Sequence, residues 1–397
     1  MGSKRSGRMS PQTRRTGRAL RNDELLRTSA ARIVQKFGLD GVSMALIAND
    51  AGLTTGALYG RFEVVDDVLV DLWKNGASGA IFALVEDMLA TSSGAWPDSS
   101  ECRKIDPLAM CGLQILLASR RNPTIAEAIE AELKSWTEKW NLGGSSTPTQ
   151  RMRSSVLLSA IFGRLASDCL VHSDDRYRSM YDQVRRATEM AESAMLVHES
   201  AGLEVVAVGG DPLSNDLINA TMDVIAKSGV EQSTLSRISR RAGVTTGAIY
   251  SRYESKIELV IDAIEVLVAT VARTSSKLVI IGAQNHDMST SVARMFHTAV
   301  SPDRAPWNRF RLETYLAGLS NSAIRRCLRR IQATSDERYF ALLQPTKLFS
   351  DDQISEIALA GQIIPIGLSV LDIICSGHRE IDYLDVSRCL MRLLGAT

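Results

Sequence analysis

One twelve-residue phrase occurs twice in this chain and constrains its fold more than any other feature. Residues 51–62 read AGLTTGALYGRF and residues 242–253 read AGVTTGAIYSRY. The spacing of 191 residues, Ala51 to Ala242, holds without a gap from Leu26/Leu217 to Asp71/Asp262. A fixed-register repeat of this length marks two homologous modules in one polypeptide.

Local signals around each phrase predict short helices joined by tight turns. Leu26, Ala30, Ile33, Val34 and Phe37 fall at helical spacing within 23–37, and Gly38 stops the run. Ser43 is placed to cap a second helix over 44–51 that Gly52 ends, and Thr54 to cap a third over 55–62. The second copy repeats each signal: a helix over 217–228, Gly229 as its stop, Thr234 as cap, Gly243 in the turn and Thr245 as the next cap. Leu58, Ile249, Ile47 and Ile238 are assigned to the cores of these small units.

Downstream of each triplet the pattern stays helical, so the fold class expected is all-α. Long helices are read over 64–89 and 256–281. Each half then ends in a strongly apolar helix (152–171 and 354–375) followed by an amphipathic one (176–197 and 382–394). A weaker echo links Leu117-Ala118, Asn122 and Ile125 with Leu316-Ala317, Asn321 and Ile324. The segment 199–214, with Gly209-Gly210 and Pro212, reads as a linker that breaks any helix. The boundaries expected are a basic disordered arm at 1–21, a first head at 22–66 and a helical body at 67–198. After the linker come a second head at 215–257 and a second body at 258–397.

A chain of 397 residues is too long for one ordinary core. With 45% apolar and 23% charged residues it has the composition of a soluble globular protein. No run reads as long and charge-free enough to span a bilayer, and the N-terminus lacks the apolar stretch of a secretion signal, so a cytoplasmic location and no membrane partner are expected. The six cysteines lack metal or disulfide spacing, which leaves buried thiols and no metal or cofactor site. Net charge is only +1, but residues 1–21 hold seven cations and no acid. Contact with a polyanion must therefore come from local patches.

Taken together, the capped helix, the A-G-[LV]-T-T-G-A-[LI]-Y phrase, the following basic and aromatic residues and the long helix resemble the DNA-binding domain of TetR-type transcriptional regulators. The resemblance covers about 50 residues in each half. It extends more loosely to SRRNPTIAEAI and VLLSAIFGRLASD in the first body, and to LSNSAIRRCL and ALAGQIIPIGLSVLD in the second. Such regulators are usually homodimers with one head per chain. Two heads in one chain imply a covalently fused pseudo-dimer reading a near-palindromic double-stranded operator, on its own or as a homodimer of the pseudo-dimer. DNA-bound, it would be nucleoid-associated.

The resemblance places Thr54, Thr55 and Gly56, and Thr245, Thr246 and Gly247, at the end of a helix that enters the major groove. Their hydroxyls can reach phosphates or base edges, and glycine avoids a clash. Tyr59 and Tyr250, one turn on, stand where a phenol meets phosphate; core packing is their competing role. Ser43, Arg61, Thr234 and Arg252 complete the flanking contacts. The second head adds Arg237, Arg240, Arg241 and Lys256, whereas the first has Leu46, Asn49, Asp50 and Val65 there. Asp50 would repel phosphate if it faced the duplex. Arg14, Arg15, Arg18 and Arg21 of the arm are expected to compensate, against the alternative of a solvated tail.

For the bodies the resemblance implies an unknown small-molecule effector held between helices. Candidate contacts are Trp136, Trp140 and His172 in the first, and Phe296, His297, Trp307 and Tyr315 in the second. It also implies that the last two helices of each half meet in a four-helix arrangement. Ser155, Ala160, Gly163 and Ala166 would approach Ala360, Gly361, Gly367 and Ser369. The function expected is a sequence-specific regulator, a repressor released by its effector. The alternatives are a non-specific architectural DNA-binding protein, and an enzyme or small-molecule carrier with vestigial heads. No P-loop, nucleophile elbow or dinucleotide fingerprint supports an enzyme.

Overall fold

The computed structural model describes residues 17–90, 106–167, 175–197, 204–208 and 210–395. The first half runs α1 (Gly17–Phe37), α2 (Met44–Asp50), α3 (Thr55–Tyr59), α4 (Val65–Leu72), α5 (Ser78–Ala90), α6 (Pro107–Ala118), α7 (Pro123–Lys139), α8 (Pro148–Ser167) and α9 (Asp175–Met190). The second runs α10 (Pro212–Gln232), α11 (Leu235–Ala242), α12 (Thr246–Tyr250), α13 (Lys256–Gln284), α14 (Met288–Val300), α15 (Ala305–Ser320), α16 (Ser322–Leu343), α17 (Asp351–Ile374) and α18 (Leu384–Leu393). Among the described residues there is no β-strand, only an isolated antiparallel bridge between Leu196 and Ile381. The fold is all-α.

Several elements depart from the sequence reading. Helix α1 begins at Gly17, ahead of the expected Asp23, because Arg18, Ala19, Leu20 and Arg21 are good helix formers whatever their charge. The last residues of the supposed arm are therefore helical. Pro212 does not break a helix but opens α10, with Asp211 as N-cap accepting from the Ser214 amide at 3.1 Å. Proline suits this position because the first helical amide has no intrahelical partner. The linker is also docked: Val205 and Ala207 are buried, and Asn219 Oδ1 accepts from the Ala207 amide at 2.7 Å. Finally, the single helix expected over 64–89 is broken at Asn75 and Gly76.

Three stretches, residues 65–90, Lys256–Gln284 and Asp351–Ile374, are by length and composition apolar enough to cross a membrane. That corrects the expectation that no run qualifies, because sparse charges interrupt these segments without lowering their mean hydropathy much. In Asp351–Ile374, 61% of the most apolar window is already buried inside the protein.

That burial comes chiefly from α8. Helices α8 and α17 are close-packed along their length, flanked by α9, which packs on α8, α17 and α18. A Cβ built on Gly163 would lie 2.8 Å from the Ile363 carbonyl carbon, and one on Gly367 would lie 2.6 Å from Ser159 Cα. Both glycines are thus needed for the approach. Gly361, expected at this crossing, instead faces Tyr339 on α16 of its own half. The main core is continuous across the halves and takes in Leu26, Ile47 and Leu58 of the first triplet. The second triplet keeps a separate small core of Leu217, Ile238, Ile249 and Leu259.

Candidate nucleic-acid interface and effector chamber

The two phrases fold alike. Ser43 Oγ accepts from the Leu46 amide at 3.3 Å, and Thr234 Oγ1 from the Arg237 amide at 3.2 Å, so both cap the helix before the turn. Gly52 and Gly243 then turn the chain at φ +65° and +71°, a conformation that costs other residues a steric clash. Thr54 and Thr245 cap α3 and α12 by accepting from the Ala57 and Ala248 amides at 3.3 and 3.4 Å. Leu58, Ile249, Ile47 and Ile238 are fully buried, as the spacing predicts.

What these helices leave outside is more telling. Tyr59 and Tyr250 are 58% and 61% exposed, which excludes core packing as their role. Thr55 is exposed, and Thr246 is half-buried with its hydroxyl 3.4 Å from Ser239 Oγ. Gly56 and Gly247 sit in the first turn, where a Cβ would meet nothing at Gly56 and only Thr245 Oγ1 at 3.7 Å at Gly247. Glycine in a helix costs about 1 kcal/mol relative to alanine, and no contact within the protein requires it here.

The charged residues around this surface are arranged differently from the expectation. Arg241 donates from Nε to Asp223 at 2.8 Å, and Arg32 pairs with Asp50 at 2.8 Å. These pairs occupy the same repeat positions with their signs exchanged. Asp50 is therefore neutralised rather than left facing phosphate, and Arg241 is held by an acid. Arg61 pairs with Asp23, and Arg252 with Asp211 at 2.6 Å. Lys256 Nζ donates to the carbonyls of Val230, Glu231 and Ser233 at 2.9, 3.3 and 3.1 Å. All three of its protons close the end of α10, so in this conformation it does not project toward a phosphate as the resemblance implies. Arg240 is exposed and forms no ion pair among the described residues. Arg14 and Arg15 lie outside the described residues, and Arg18 lies on the first turn of α1.

A junction that the repeat did not reveal ties both heads to the bodies. Arg121, after α6, reaches Asp40 at 2.5 Å and Glu313 on α15 at 3.1 Å. Burial pushes the Glu313 carboxyl up to about 7 despite the pull of Arg121. Gly38 and Gly229, at φ +69° and +74°, both stand against the opposite body: Gly38 on Ser320 of the second, Gly229 on Arg121 of the first as well as on Glu313 of its own. Each head thus touches the half it does not belong to.

The expected effector contacts divide. Trp136 and Trp140 are 4% exposed and packed among Trp73, Phe82 and Phe162, with ring centroids 5.3–5.9 Å apart. Trp140 Nε1 donates to Glu86 at 2.7 Å. They fill space rather than line it. His172 lies outside the described residues. His297 stands 3.8 Å from Asp382, Trp307 packs on Phe310, and Tyr315 borders a gap too small for an organic ligand. Phe296 alone of these candidates lines the large chamber, enclosed by α13, α14, α16, α17 and α18. The chamber encloses about 100 Å³ and opens into a wider mouth, against Met288, Met295, Met391, Phe349, Tyr339 and Pro365 among others. Behind it, the half-buried Arg311 donates to the Pro365 carbonyl at 2.5 Å and to Ser369 Oγ at 2.8 Å. Burial lowers that guanidinium to about 10.

Residues 217–263, the second head, match the family of bacterial regulatory proteins, tetR family. A relative described as the uncharacterized HTH-type transcriptional regulator TtgW, from Pseudomonas putida, is 42% identical over 43 residues. That alignment covers 11% of this chain and 32% of the relative. The chain therefore spans about a third of the length of the relative it matches. The second head is similar to TetR-type DNA-binding regulator domains.

Proposed function

We propose that this chain is a sequence-specific transcriptional repressor whose two heads bind one near-palindromic operator as a covalent pseudo-dimer. The reading is carried by one observation: two near-identical short helices each expose a tyrosine and a glycine that no internal contact requires. Helix-turn-helix heads read half-sites a helical turn apart, so near-identical helices imply a near-symmetric site. Fusing the heads makes the second contact intramolecular, at an effective concentration of roughly mM.

Release follows from the way the heads are mounted. Helix α15 carries Arg311, which holds the chamber wall at Pro365, and Glu313, which meets Arg121 at the junction under both heads. A ligand that displaces α17 would move α15 and alter the spacing of the heads. It would favour release only by binding that arrangement more tightly than the DNA-bound one.

Footprinting on the DNA flanking the chain's own gene tests the reading. A protected pseudo-palindrome is expected, lost in the Tyr59→Ala/Tyr250→Ala variant while the fold is kept. Equal affinity for random duplex would overturn it.

A further inference from the structure

Resting on the regulator reading, the geometry points to one effector site per chain, in the second half and without a counterpart among the described residues of the first, for an uncharged, largely apolar ligand. Three observations carry this. The chamber's lining offers no charged side chain, and its polar side-chain groups are the hydroxyls of Tyr339 and Ser291. Tyr339 is only 5% exposed, and its hydroxyl has no hydrogen-bond partner among the described residues. Burial raises that phenol, so it stays protonated and neutral. The hydroxyl borders the chamber space, and a ligand oxygen or nitrogen there would give it a partner. An ionised ligand would enter with no counter-charge, which burial penalises heavily. The methionines at the wall adapt to varied apolar shapes.

The restriction to one half comes from the repeat register. Asn122 and Asn321 are the N-caps of α7 and α16, so the two helices align from that point. Trp140 then corresponds to Tyr339, and Trp136 to Ser335. Where the second half has a hydroxyl and open space, the first has two indoles wedged between Trp73 and Phe82. The same helical scaffold is thus a chamber in one half and a filled core in the other.

Two probes that share one skeleton test this: N-phenyl-1-naphthylamine, which is neutral, and 1-anilinonaphthalene-8-sulfonate, which adds a single negative charge. Titration of the full chain should show one neutral probe bound per chain, and the sulfonate at least 100-fold weaker. Ala360→Trp, which places an indole in the chamber as the first half does, should weaken the neutral probe at least 20-fold. If that variant does not fold, Val292→Phe at the half-exposed rim should weaken it several-fold. Tyr339→Phe should lower affinity for a ring ligand bearing a carbonyl, 1-acetonaphthone, but not for naphthalene. Two probes per chain, equal binding of the sulfonate, or undiminished binding in a folded Ala360→Trp variant would overturn the inference. Probe binding without operator binding would instead sink the regulator reading and leave the site standing.

Discussion

Substituting Gly367 by alanine puts the joint between the halves under direct test. A Cβ there would lie 2.6 Å from Ser159 Cα and run still closer to the Ser159 carbonyl, where ordinary contact begins near 3.4 Å, so α8 and α17 must part by at least about 0.8 Å. A gap of that size forfeits a quarter to a half of each facing dispersion contact, worth about 0.1–0.2 kcal/mol apiece. Over about 50 atom pairs along the crossing that is about 2–4 kcal/mol, offset by about 1 kcal/mol of helix propensity gained on losing glycine. A net loss of about 2 kcal/mol is expected, read as a lower urea midpoint with tryptophan fluorescence, since Trp140 touches Phe162 on α8. Gly163→Ala should cost a similar amount. The double variant should cost distinctly less than the sum, because one separation accommodates both methyl groups. Gly79→Ala, where a Cβ meets nothing within 4 Å, is the control and should be neutral or stabilising. A loss below about 0.5 kcal/mol for Gly367→Ala, or strict additivity, would refute the close crossing.

Other outcomes follow from the heads and the junction. Gly56→Ala with Gly247→Ala should leave stability unchanged or raise it by about 1 kcal/mol per site, yet weaken operator binding in a gel-shift titration; unchanged affinity would count against backbone approach to DNA. Tyr59→Phe and Tyr250→Phe should each cost about tenfold in operator affinity, about 1.5 kcal/mol for a hydrogen bond to a charged oxygen, with no change in melting temperature. Glu313 binds its proton more tightly folded, near pH 7, than unfolded, near 4.5. Between those values the folded chain keeps a proton the unfolded chain has lost, so stability falls by about 3 kcal/mol as pH rises through the window. Glu313→Gln should flatten that slope in melts at pH 5 and pH 8. Deleting residues 1–16, which stops short of α1, should reduce the salt slope of operator binding by about two units if the arm grips phosphates.

The heads were legible from sequence because every local signal there serves the backbone: caps at Ser43, Thr54, Thr234 and Thr245, and turns at Gly52 and Gly243. Burial at Leu58 and Ile249 followed from spacing for the same reason. Charge was not legible in this way. Asp50 and Arg241 read as a repellent and an attractant, but their partners Arg32 and Asp223 sit 18 residues away on another helix, and only the fold joins them. Lys256 read as a phosphate contact because its position matched, while its three acceptors are carbonyls at the end of α10. Glu313 carried no motif and Arg121 only the loose resemblance of SRRNPTIAEAI, and their meeting depends on the two halves being packed together. Trp136 and Trp140 suggested a ligand wall; whether an indole lines a space or fills it depends on what lies opposite.

These corrections locate the asymmetry of the molecule. Helices α3 and α12 are nearly interchangeable, yet α2 and α3 pack into the main core, while α11 and α12 pack on a separate cluster and only one face of α10 joins the main core. Local opening costs least where few buried contacts join a unit to the rest, so α11 and α12 should exchange amide hydrogens faster than α2 and α3. The large chamber belongs to the same half as the second head, and α15 packs much more extensively on α10 than on α1. A ligand acting through α15 therefore acts first on α10, which carries α11 and α12 with it. Hydrogen exchange with and without the neutral naphthylamine probe should show protection change in α10–α12 and little in α2–α3. An equal response in both heads would mean that the bodies move as a symmetric pair and that the difference between the cores has no part in release.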